Sequence, residues 1–160
     1  MNRSFALALL MLGGLIVGSC QTPDSSKLTE SRIAQIKAEV EQAAIEHLNA
    51  KDATTALSHY TEDAMAVSND TLYPSFEKLS ENIKAYYNIL REINLAVWDK
   101  MYINVINTDA ALVTAKFRYS FTSTNDEKTD LQGVWTALYV RSNGTWKIRI
   151  RHESVAPLEN

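Results

Sequence analysis

The segment Gly144-Thr-Trp-Lys-Ile-Arg-Ile-Arg-His-Glu-Ser154 alternates in character, and its last residues could do chemistry. Trp146, Ile148, Ile150, His152 and Ser154 share one face of a strand; Lys147, Arg149, Arg151 and Glu153 share the other. The apolar set must face the interior, which carries His152 and Ser154 inward with it. Asn143-Gly144 is a two-residue hairpin signal, and that turn sets Ser142 opposite Thr145. Tyr139 then opposes Ile148, Ala137 opposes Ile150, and Trp135 opposes His152. A pocket lined by Trp135, Tyr139, His152 and Ser154 suits a mostly apolar ligand with one polar group. A bulged or longer turn would shift this register and bring Val134, Thr136 and Leu138 inward instead. The same inward position also suits a half-buried histidine bonded to a carbonyl or carboxylate.

Other side chains complete the inventory. His47 borders the inner stripe of a helix and is a second pocket candidate, whereas His59 is expected to face solvent. Asp70 is the carboxylate best placed to act as a base, because it follows the first strand on a loop; Asp63 is read as a turn cap. Three histidines without an i, i+4 pair make no zinc or iron site, so no metal or other cofactor is expected. Five glycines form no phosphate-cradling loop, and no serine sits in a nucleophile elbow.

The remaining reactive group is the thiol of Cys20, the only cysteine. Arg3 precedes an apolar run of about 13 residues, Phe5 to Val17, which is shorter than the roughly 20 a bilayer span needs. Its end, Val17-Gly18-Ser19-Cys20, resembles the lipobox of bacterial lipoproteins. That resemblance implies cleavage before Cys20, lipid on its sulfur, and a membrane anchor of more than one acyl chain. Gln21 rather than Asp after the cysteine implies sorting to the outer membrane, facing the periplasm. A lipidated Cys20 leaves no thiol for disulfides or nucleophilic catalysis.

These groups must be positioned by what remains. Residues 1–19 read as leader, 20–28 as lipidated cysteine and polar tether, and 29–160 as one compact domain. Composition is ordinary for a globular protein, 46% hydrophobic and 22% charged, with net charge −3. The basic trio Lys147, Arg149 and Arg151 decorates one strand face and does not form a nucleic-acid patch. Ile33, Ile36, Val40, Ala44 and Leu48 mark a first helix, capped by Thr29 or Ser31. Asp52 caps a short second helix over Ala53 to Tyr60, and Ser75 a third through about Arg91, with Phe76, Leu79, Ile83, Tyr86 or Tyr87, and Leu90 inward. A short strand, Ala64 to Val67, lies between them, and Leu72-Tyr73 can pair briefly. Leu95–Ile106, Ala111–Ser123, Leu131–Arg141 and Thr145–Val155 then read as strands. Helices first and a strand meander after is an α+β order.

That order, together with Leu48-Asn-Ala-Lys-Asp52, Tyr60-Thr-Glu-Asp-Ala64 and the final Gly144–Ser154 segment, resembles the nuclear transport factor 2-like superfamily, including its SnoaL-like and ketosteroid isomerase-like members. The resemblance runs from about Ile33 to Val155. It implies a cone: a curved antiparallel sheet with three helices enclosing a pocket, paired into homodimers through the sheet. Val134, Leu138 and Val140 would supply that outer face. Ketosteroid isomerases use a carboxylate base, a tyrosine and a protonated aspartic acid. Here the base position falls near Ser68 to Asp70, Ala44 takes the tyrosine's place, and Trp135 or Thr136 that of the acid. Two of three parts are missing. The expectation is therefore a membrane-anchored domain binding a small apolar molecule or a peptide. The alternative is a small lyase or isomerase using His152 and Asp70 as acid and base; a third class is an envelope protein with a collapsed pocket.

Overall fold

Side-chain caps start all three helices of the described residues. Thr29 Oγ1 accepts from the Arg32 amide at 3.2 Å and opens α1, Glu30–Leu48. Asp52 accepts from the Thr55 amide at 2.8 Å and opens α2, Ala53–Ser58. Ser75 does the same for Lys78 and α3, Phe76–Ile89. Each cap satisfies an amide that the first helical turn leaves without an acceptor. The computed structural model describes residues 28–158; the leader, Cys20 and the tether through Lys27 lie outside them. Leu28, just before the first helix, packs against the core. No helix among the described residues is long and apolar enough to cross a membrane.

Six strands form one sheet: β1 Tyr60–Ser68, β2 Thr71–Tyr73, β3 Leu90–Asn107, β4 Ala110–Ser123, β5 Lys128–Ser142 and β6 Thr145–Pro157. Their order across the sheet is β2-β1-β6-β5-β4-β3. Every neighbouring pair is antiparallel except β1 and β6, which run parallel. β3 follows α3 directly, starting at Leu90 rather than Leu95, because Leu90 is already extended while its amide still bonds Tyr87. Register shifts at four places along β3 bend this long strand, and the sheet curves around α1 and α3. Ile36, Val40 and Leu79 from the helices fill that concavity against Val113, Trp135, Tyr139 and Ile148, all fully buried. Gly133 permits the tightest approach in the wall: a Cβ there would lie 2.6 Å from Ser154 O and 2.7 Å from the Phe117 ring.

The final hairpin begins as the sequence implies. Asn143 and Gly144 have φ of 50° and 82°, the left-handed pair of a two-residue turn, and Ser142 opposes Thr145. Tyr139 opposes Ile148, but the register then shifts and Leu138 opposes Ile150. Arg149 is thus an extra residue, a bulge that reverses the facing of everything after it. Ala137 opposes Arg151 rather than Ile150, and Trp135 opposes Glu153 rather than His152. Arg149 is turned out to Asp63, 2.8 Å away, and β1 breaks its own register between Tyr60 and Met65 beside it.

Candidate functional site

The bulge decides which side chains of β6 reach the interior. Arg151 is buried at 8% exposure, and Glu153 and Val155 also face inward, while Ile150, His152 and Ser154 lie on the exposed outer face. The inward placement expected for His152 and Ser154 is therefore corrected. His152 sits opposite Thr136, Ser154 opposite Val134, and neither lines the cavity between the helices and the sheet. Asp70 is exposed in the tight turn between β1 and β2, where Thr71 Oγ1 donates to it at 3.4 Å. The expected acid–base pair of His152 and Asp70 has no access to the interior from these positions.

What the fold does bring together is a cavity of about 290 Å³ between α1, α3 and the sheet. His47 and Leu48 enter from the last turn of α1, Asn82, Ile83, Tyr86 and Tyr87 from α3, and Trp98, Phe117, Tyr119 and Trp135 from the strands. Arg151 and Glu153 supply its charged wall. Of the expected residues, His47 and Trp135 line this cavity. Tyr139 lies behind the wall, fully buried, with its ring 6.0 Å from that of Trp135.

The aromatic walls are held in place by one another and by backbone carbonyls. The His47 ring stacks on Trp135 at 5.7 Å and 21°, and Trp135 meets Trp98 at 5.2 Å. Trp98 Nε1 donates to Ala44 O at 3.1 Å, and Tyr87 Oη donates to Ala50 O at 2.8 Å. Tyr86 stands edge-on to Phe121 at 5.7 Å. Buried Trp and Tyr polar atoms need partners of this kind, and meeting them fixes the rings.

A polar relay runs from the cavity wall through a buried tyrosine of the core. Arg151 Nη1 donates to Tyr60 Oη at 3.1 Å, and that hydroxyl lies 3.0 Å from His47 Nε2. Arg151 Nη2 also lies 3.3 Å from Glu153 Oε1. Burial, followed by the nearby positive charge of Arg151, pushes the His47 pKa down to about 3, so the ring is neutral at ordinary pH. Burial pushes the Tyr60 hydroxyl up to about 12. Burial opposes the charge of Arg151, but Tyr60 and Glu153 more than offset it, and its pKa rises. His47 Nδ1 and Arg151 Nε are buried and find no hydrogen-bond partner among the described residues. His59 is half-buried rather than solvent-facing, with its ring edge-on to His47 at 5.8 Å.

Arg151, Glu153 and Tyr60 are the site residues that the sequence reading missed. Tyr60 stood out only as a core aromatic, and the two charged residues belonged to a face read as solvated. Among the described residues no three His, Cys, Asp or Glu gather closely enough to hold a metal ion.

Residues 38–159 match the family model described as a SnoaL-like domain. No curated protein sequence matches the chain. Among solved structures, a candidate scytalone dehydratase from Novosphingobium aromaticivorans superposes with a TM-score of 0.72 at 11% identity, covering 82% of this chain and 93% of that one. A ketosteroid isomerase-like protein from Erwinia carotovora atroseptica gives 0.64 at 18% identity, covering 76% and 96%. A candidate dehydratase of the NTF2-like family from Streptomyces avermitilis gives 0.67 at 16% identity, covering 79% and 99%. At these identities the likeness is one of fold.

Proposed function

The chain belongs to the SnoaL-like domain family, and from that premise we propose that it is a binding protein, one that holds a small, mostly apolar molecule in the cavity between α1, α3 and the sheet. The observation that carries this reading is the character of the cavity: about 290 Å³, walled by Trp98, Trp135, Phe117, Tyr86 and Tyr119, with Arg151 and Glu153 as its charged groups. That volume stands at the lower edge of the roughly 300–1,000 Å³ usual for small-molecule sites, which favours a single small molecule over a peptide. General acid–base catalysis works best with a pKa near the operating pH. His47, at about 3, and Tyr60, at about 12, are both far from it. In this proposal lipid on Cys20 holds the domain to the outer membrane, facing the periplasm, and two copies pair through the outer face of the sheet.

The 3.0 Å contact between His47 and Tyr60, set beside the likeness to candidate dehydratases, favours a second reading, a lyase-type enzyme. The base would then be His47 rather than His152 or Asp70. Native mass spectrometry of the full chain released gently from detergent separates the two readings. A binding protein carries a co-purified small molecule that Trp135→Ala loses, and the molecule is returned unchanged after incubation. Recovery of a chemically altered molecule, with His47→Gln stopping the alteration, would replace binding by catalysis. A cavity that retains no molecule in any preparation counts against both.

A further inference from the structure

Arg151 is a buried guanidinium with five donor hydrogens and, among the described residues, a single well-formed hydrogen bond, the one to Tyr60. Its contact with Glu153 is an ion pair at 3.3 Å without hydrogen-bond geometry, and its Nε finds no acceptor among the described residues. The edge formed by Nε and Nη2 is the one a carboxylate grips with two parallel hydrogen bonds. A buried donor left without an acceptor keeps its full desolvation cost, so an edge like this is ordinarily completed by something.

The neighbouring histidine points to the same complement. Arginine can only donate, so Tyr60 Oη accepts from Arg151 and has its own hydrogen free for His47 Nε2. If Nε2 carried the proton instead, the hydroxyl hydrogen of Tyr60 would face two donors. The favoured tautomer therefore has its proton on Nδ1, the ring nitrogen without a partner among the described residues. Two residues that line the cavity, Arg151 and His47, thus each carry a buried donor without a partner among the described residues. The rest of its wall is mostly aromatic and aliphatic, with Ser68 and Asn82 as further polar residues.

Building on the binding reading above, we propose that the cavity selects a small aromatic carboxylate, its ring among Trp98, Trp135 and Tyr86 and its carboxylate against the Nε–Nη2 edge of Arg151. Glu153 competes for the same edge. Its loose, off-angle contact leaves the guanidinium available, and its negative charge limits how tightly the anion is held. Glu153 is therefore a determinant of affinity, and its neutralisation strengthens binding of the anion specifically.

Three ligands of nearly equal shape test this on the detergent-solubilised full chain by calorimetry: 2-naphthoate, 2-acetylnaphthalene and 2-isopropylnaphthalene. 2-Naphthoate binds at least about tenfold more tightly than either neutral analogue, the ratio expected of a charge-assisted bidentate contact. Glu153→Gln widens that ratio, while Arg151→Lys, which keeps the charge and loses the fork, narrows it. The wild-type ratio is decisive on its own should a variant fail to fold. Equal or tighter binding of the ketone or the hydrocarbon overturns the carboxylate proposal and leaves the binding reading standing. Failure of all three to bind, in a chain that still carries a co-purified molecule, overturns the proposed ligand class alone. Failure of all three with no such molecule removes the binding reading as well.

Discussion

A histidine held neutral inside a protein makes stability depend on pH in one direction. His47 has a folded pKa of about 3 against an ordinary 6.5, so the unfolded chain binds its proton first as pH falls. The neutral ring's contribution is complete above pH 6.5 and is lost progressively below it, down to the folded value near 3. Between pH 7.5 and pH 5 this amounts to about 2 kcal/mol, at 1.36 kcal/mol per pH unit below 6.5. His59, lowered mainly by its partial burial, acts in the same direction. Urea unfolding of wild type and His47→Gln at these two pH values isolates the His47 share: the variant is less stable at pH 7.5 but loses about 2 kcal/mol less on acidification. Equal losses in both proteins would mean that His47 is readily protonated in the folded state. The sequence marks His47 as bordering the inner stripe of α1, but not its partners, because Tyr60 and Arg151 are 91 residues apart and are joined only by the sheet.

At the scale of elements, β6 shows where legibility ends. Thr29, Asp52 and Ser75 announce the helix starts because a capping side chain acts within three residues of itself. Asn143-Gly144 fixes the turn and the first pairs of the hairpin for the same local reason. The bulge at Arg149 has no such signature. Trp-Lys-Ile-Arg-Ile-Arg-His alternates without interruption, and the choice to turn Arg149 outward depends on β1, whose own register breaks beside it. A one-residue slip exchanges every later side chain between faces. Deleting Arg149 should therefore present His152 and Ser154 to the core, expose Arg151 and prevent formation of a stable domain, seen as loss of a cooperative thermal transition. Arg149→Ala keeps the bulge and gives up only an exposed ion pair with Asp63, so its stability should change by less than about 1 kcal/mol. A deletion variant that melts like wild type would refute the account of β6.

The whole molecule presents one further surface to test. On the outer face of the sheet, Tyr102, Val134 and Ile150 are exposed at 59%, 51% and 44%, beside half-buried Leu112 and Leu138. A second copy covering this face would bury apolar area on both partners about a two-fold axis. Light scattering at tens of micromolar, comfortably above a roughly micromolar dissociation constant, should report a dimer that Val134→Glu together with Ile150→Lys converts to a folded monomer. A wild-type monomer at that concentration would remove the proposed pairing. The proposed anchor is tested separately: Cys20→Ala should move the chain from the detergent phase to the aqueous phase and abolish cleavage before residue 20. Continued partitioning with detergent would count against lipidation.

The parallel pairing of β1 with β6 has a consequence in time. Thr61 and Ile148 are 87 residues apart, and the strands carrying them lie side by side only when the last strand has been made. The β3–β4–β5 meander closes short loops and can form early, whereas long-range pairing carries the larger loop-closure cost and comes late. Tyr60 acquires Arg151 at the same late moment, so the sheet and the polar relay are completed together. A nascent chain still emerging, with β6 unmade, lacks Arg151 and Glu153, the charged wall of the cavity.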